Sequence, residues 1–60
     1  MSLDQRLQLL AINNNKSATE VMIEYINVKD ALNQTLPQYK NKQSRIKYFA
    51  FKQVESYYKR

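Results

Sequence analysis

The stretch Pro37-Gln38-Tyr39-Lys40-Asn41-Lys42-Gln43-Ser44-Arg45-Ile46-Lys47-Tyr48 decides the fold, because two periodicities compete in it. Gln38-Tyr39-Lys40 and Arg45-Ile46-Lys47-Tyr48 each alternate polar and apolar side chains, the spacing of a half-buried strand. Asn41-Lys42-Gln43-Ser44 then forms a hairpin loop. Tyr39 faces Ile46 on the buried side, and Lys40, Arg45 and Lys47 turn to solvent. The same residues also fit a helix running from 38 to 59. On that wheel Ile46, Ala50 and Tyr57 share one face, and Arg45, Lys52 and Lys59 the opposite one. The alternation favours a hairpin over about 38–48. From Phe51 the period is helical again, with Val54, Tyr57 and Tyr58 as the apolar stripe of a helix over about 51–59.

Upstream of Pro37 the pattern is helical. Leu3, Leu7 and Leu10, widened by Ala11 and Ile12, predict a helix over 3–12, with Ser2 and Gln5 spelling a capping box. Asn13-Asn14-Asn15-Lys16 is a turn, since asparagine bonds to its own backbone and tolerates left-handed geometry. Ser17-Ala18-Thr19-Glu20 is a second capping-box spelling, and helix follows over about 18–35. Val21, Tyr25, Val28 and Leu32 allow that helix to be continuous. A break at Ile26-Asn27-Val28 is preferred, with Asn27 in a left-handed position and a second helix over Lys29–Thr35. Pro37 ends it and biases Leu36 toward extended geometry. The fold expected is one domain over 1–60, mainly α with a small β-hairpin. The alternative is an all-α three-helix bundle with helices 3–12, 18–35 and 38–59.

Composition narrows the chemistry. The chain has 60 residues, no cysteine and no histidine. Disulfides and thiolate metal sites are excluded, and the usual general base is missing. No catalytic centre, metal or cofactor is expected, because Asp4, Glu20, Glu24, Asp30 and Glu55 are scattered. The longest apolar runs, Leu9–Ile12 and Tyr48–Phe51, are far too short to span a membrane. Asp4-Gln5-Arg6 does not read as a signal peptide, and a small domain without disulfides fits the cytoplasm. Charge is divided unevenly. Residues 37–60 hold seven cations against Glu55 alone, a net +6, whereas residues 1–36 hold three cations against four acids, a net −1. That asymmetry points to a polyanionic partner, and the phosphate backbone of a nucleic acid is the commonest.

The expected order of elements is that of a winged helix-turn-helix, and the chain resembles the excisionase-like branch of the MerR superfamily of DNA-binding domains. Tyr48-Phe49-Ala50-Phe51-Lys52-Gln53-Val54-Glu55-Ser56-Tyr57-Tyr58-Lys59-Arg60 is similar to that family's closing strand-to-helix run. Leu36-Pro37 resembles the dipeptide that opens its wing. Glu24-Tyr25-Ile26-Asn27-Val28 resembles the turn between its two helix-turn-helix helices, with asparagine for glycine. The likeness covers about 17–60. The stretch from Val28 to Pro37 is shorter than the family's, Ile23 replaces a small residue, and the wing has no glycine. The resemblance implies an accessory factor that directs a recombinase, or a transcriptional regulator of a mobile element. It implies binding to repeated sites, with self-association or a recombinase as possible protein partners.

Three groups are candidates for DNA contact. Lys40, Asn41, Lys42, Gln43, Ser44, Arg45 and Lys47 form a basic wing suited to a phosphate backbone or a minor groove. Lys29, Asn33, Gln34 and Thr35 lie on the expected recognition helix, where amides pair with adenine and threonine meets a thymine methyl. Lys16, Ser17 and Thr19 stand at a helix start, where N–H groups and the dipole attract phosphate, although Ser17 as a plain N-cap explains them as well. Phe49, Phe51, Val54 and Tyr57 are expected in the core, with Tyr48 and Tyr58 exposed. The rival function is a dimeric helical adaptor or inhibitor of a partner protein, with Tyr48, Phe51 and Tyr58 at its interface.

Overall fold

The computed structural model describes residues 2–59. It consists of α1 (Leu3–Asn13), α2 (Ala18–Thr35), a 3-10 turn (Pro37–Tyr39) and α3 (Gln43–Tyr58). Among the described residues there is no strand. The all-α three-helix bundle is therefore the architecture, and the hairpin expected over 38–48 does not form.

The reason lies in what each register buries. An isolated two-stranded hairpin is marginal in water. Coiled as a helix, the same segment lines up Ile46, Ala50 and Val54 at four-residue spacing with Phe51 beside them, and all four are buried. The single-helix alternative was too long at its start. Pro37 holds Leu36 at φ −125 and ψ 64, a 3-10 turn follows, and α3 begins only at Gln43.

The break expected at Asn27 is also absent, and α2 runs unbroken through it. Val21 and Tyr25 are buried, and Val28 and Leu32 pack on the same core. Interrupting the helix between them would take half of this stripe out of register. Asn27, exposed, costs only its weak helix propensity, about 0.5 kcal/mol. With one helix where two were expected, residues 29–35 are the last turns of α2 and not a separate recognition helix.

The start signals are realised. The Gln5 N–H donates to Ser2 Oγ at 3.3 Å and the Ser2 N–H donates to Gln5 Oε1 at 3.1 Å. The Glu20 N–H donates to Ser17 Oγ at 3.0 Å, while the Glu20 carboxylate turns to Lys16 at 3.6 Å. In the asparagine turn Asn15 takes φ 56, and the Asn14 side-chain amide donates to Leu10 O at 2.8 Å.

Helix α2 is the middle of the molecule, with α1 and α3 both packed on it and touching each other less. Leu7, Leu10 and Ala11 of α1 meet Val21 and Tyr25 of α2 and Ala50, Phe51 and Val54 of α3. Two side-chain bridges fix α3 antiparallel to α2. Tyr58 Oη donates to Glu24 Oε2 at 2.7 Å, and Gln43 Nε2 donates to Asn33 Oδ1 at 2.9 Å. The helical phase of α3 corrects the aromatic assignments. Phe51 is buried, but Phe49 is 38% exposed because it falls off the Ile46–Ala50–Val54 line, and Tyr57, on the Ile46–Ala50 face but in the last turn of α3, is 59% exposed. Tyr58, expected outside, is half-buried by its bond to Glu24. No helix among the described residues is long and apolar enough to cross a membrane.

Candidate nucleic-acid interface

The cations read as a wing stay together after the hairpin is lost. Lys40 and Lys42 lie in the bend before α3, and Arg45 and Lys47 in its first turns, all exposed. The ion pairs among the described residues lie elsewhere, at Lys16–Glu20, Lys52–Glu55 and Lys59–Glu55. These four positive charges thus have no carboxylate beside them among the described residues. They also crowd the wrong end of a helix. A helix N-terminus carries about half a positive charge, which cations there oppose. Lys42 occupies the cap position with no side-chain capping bond, and the first turn contains no acid. The N–H groups of Gln43 and Ser44, at the first two helical positions, have no acceptor within the helix. The site combines free donors with repelling cations, an arrangement that an anion relieves.

An aromatic ledge adjoins it. Tyr39 and Tyr48 each pack edge-on against Phe49, with centroids 6.0 Å apart. Lys52 Nζ stands 5.8 Å from the Tyr48 ring centre. Arg45, Tyr48, Phe49, Lys52, Ser56 and Lys59 recur at helical spacing along the outer face of α3.

The remaining candidates divide between the two ends of the bundle. Asn33 is joined to the start of α3 through Gln43, whose side-chain amide also donates to Lys40 O at 2.8 Å. Asn33, Gln34 and Thr35 therefore neighbour the cation cluster. Thr35 Oγ1 donates back to Ala31 O at 3.0 Å, and this is the negative end of α2, which disfavours phosphate. Lys29 is half-buried, 6.0 Å from the Tyr25 ring centre. Asn41 and Ser44 are exposed beside the cations. Lys16, Ser17 and Thr19 stand at the far end of α2, about 25 Å away at 1.5 Å per residue. There Ser17 caps the helix and Lys16 pairs with Glu20. One site cannot hold both groups.

Sequence reasoning missed the Tyr39–Phe49–Tyr48 ledge, because it placed Phe49 in the core. The available signal was the helical wheel, on which Phe49 lies on the side of Arg45 and Lys52, away from Ala50 and Val54. It also missed a groove of about 440 Å³ between α1 and α3, lined on one side by Arg6, Leu9 and Leu10 and on the other by Tyr48, Phe51 and Lys52. Two tyrosine hydroxyls are perturbed. Tyr25 is raised, first by burial and then by the charge of Asp4, and its hydroxyl has no hydrogen-bond partner. Tyr58 is pushed up to about 12, first by desolvation and then by its bond to Glu24. Among the described residues no group of carboxylates is gathered to hold a metal.

Comparison with protein-family models, with curated proteins and with solved structures finds no match.

Proposed function

We propose that this chain is a small duplex-DNA-binding protein whose contact is the positive end of α3. The observation that carries the reading is the cluster Lys40, Lys42, Arg45 and Lys47. It is exposed and without ion pairs among the described residues, at an uncapped helix N-terminus. Stability argues against such a cluster, so its presence calls for an external anion. A phosphate backbone supplies a row of anions at the spacing of several side chains. Lys40, Lys42, Arg45 and Lys47 meet phosphates, and Ser44, exposed in the first turn, reaches toward base edges in the major groove. The aromatic ledge beside them covers sugar and base surface. The excisionase-like resemblance adds the role of an accessory factor in recombination or in regulation of a mobile element. The bundle performs it without a wing, through the helix start that takes the wing's place.

A titration of random and defined duplexes in a mobility-shift assay at two salt concentrations tests the reading. Binding that weakens steeply with salt supports it. No shift in dilute buffer ends it. The second reading, a helical adaptor, draws on one observation: Ile12, Ile23 and Ile26 are 68%, 54% and 44% exposed. Of the interface aromatics that reading named, only Tyr48 is open, since Phe51 is buried and Tyr58 is bonded to Glu24.

A further inference from the structure

Two surfaces on opposite sides of the bundle complement each other. The first is the groove between α1 and α3. No residue of α2 lines it, so it faces away from α2. Its floor is apolar, with Leu9 43% and Tyr48 55% exposed. Its rim carries Arg6, Lys52 and Lys59. Glu55 shares its charge between the two lysines at 3.6 and 3.8 Å, and Arg6 has no ion pair among the described residues. Three cations around one acid leave the groove at +2.

The second surface is the outer side of α2, turned away from the buried Val21–Tyr25 stripe. Ile23 and Ile26 are exposed there between Glu20 and Asp30. Asp30 has no cation partner among the described residues, and Glu20 pairs with an exposed Lys16 at 3.6 Å. The acids are ten residues apart, about 15 Å along the helix, and Lys52 and Lys59 are seven apart, about 10 Å. An apolar ridge with acidic ends is thus complementary in charge to an apolar groove with a basic rim, the acids standing about 5 Å farther apart along their helix than the two lysines.

We infer that the outer face of α2 of one chain docks into the α1/α3 groove of a second copy. The contact is helix-in-groove, with Ile23 and Ile26 over Leu9 and Tyr48, and Asp30 and Glu20 against Arg6, Lys52 and Lys59. Because the two surfaces point in opposite directions, the contact is heterologous, and each added copy exposes a fresh groove or a fresh ridge. Growth is open and concentration-dependent. Chains of net charge +5 repel one another at long range, so each step is weak. The cation cluster at 40–47 lies outside this contact, which shares Tyr48 with the aromatic ledge and is tested without nucleic acid.

Sedimentation equilibrium of the whole chain without nucleic acid, over roughly 10 μM to 1 mM, tests it. The average mass of the unaltered chain should climb past that of two copies without a plateau. Leu9→Glu closes the groove and Ile26→Lys blocks the ridge. Both sites are exposed, so circular dichroism should show unchanged helix. Each variant alone should stay monomeric. An equimolar mixture should stop at two chains, since one partner keeps its ridge and the other its groove. The double charge reversal Asp30→Lys with Lys52→Glu in one chain should associate more strongly than either single reversal. A chain that stays monomeric throughout overturns the inference. So does a single variant that still pairs, which would mean a symmetric contact, and so does a mixture that fails to pair.

Discussion

Replacing Lys42 by Ser and Arg45 by Ala should move binding and stability in opposite directions. If Lys40, Lys42, Arg45 and Lys47 each neutralise one phosphate, the logarithm of affinity falls with that of salt at a slope of about −3.6. Between about 50 and 200 mM salt that is a loss of about 150-fold. Removing two contacts halves the slope to about −1.8, and the loss over the same range shrinks to about 12-fold. The fold responds the other way. Lys42 sits at a cap position without a capping bond, and Arg45 stands in a first turn without an acid. A serine supplies the missing acceptor and the substitutions remove two charges facing the positive helix end, together about 1 kcal/mol. In a domain of this size that raises Tm by about 4–8 °C. Fluorescence anisotropy with a labelled duplex across a salt series reads the first effect, and thermal circular dichroism the second. An unchanged salt slope refutes the phosphate assignment. A lowered Tm refutes the claim that these cations strain the fold.

Tyr25→Phe should stabilise the bundle by about 1 kcal/mol in urea unfolding, since it removes a buried hydroxyl without a partner. Tyr58 governs the alkaline limb. Its folded value of about 12 lies above the ordinary 10, so its stabilisation is complete below pH 10 and is lost as pH rises from 10 toward about 12. Tyr58→Phe should lower stability at neutral pH and make the curve between pH 10 and 12 shallower, as measured by denaturant titration at each pH. Ile46→Ala, at a wholly buried site, should cost about 2–5 kcal/mol. A domain of this length has only a few kcal/mol to lose, so far-ultraviolet circular dichroism should show that variant largely unfolded.

What could be read from the sequence was local. Ser2 with Gln5, Ser17 before Glu20, and Pro37 after Leu36 act through bonds or sterics within three or four residues, and each sets an element boundary where it was expected. The asparagine turn is of the same kind, with Asn15 in the left-handed region. The charge division is a property of composition, so it held whichever fold formed. The Lys40–Lys47 cluster remained the candidate site although its secondary structure changed from strand to helix start.

Tertiary packing decided the rest. Alternation over 38–48 satisfies a strand and a helix equally until a partner surface is present. Helix α2 is that surface, and only the helical register sets Ile46, Ala50, Phe51 and Val54 against the core together. The continuity of α2 past Asn27 has the same origin, because local propensity is worth a few tenths of a kcal/mol while a broken Val21–Tyr25–Val28–Leu32 stripe would expose two or more apolar side chains at about 1.5–3 kcal/mol each. Which candidates can act together also depended on the fold. The bond between Gln43 and Asn33 draws one group to the start of α3, and the length of α2 holds Lys16, Ser17 and Thr19 away from it. Short-range rules placed the ends of α1 and α2, and burial shared among three helices chose the register of α3.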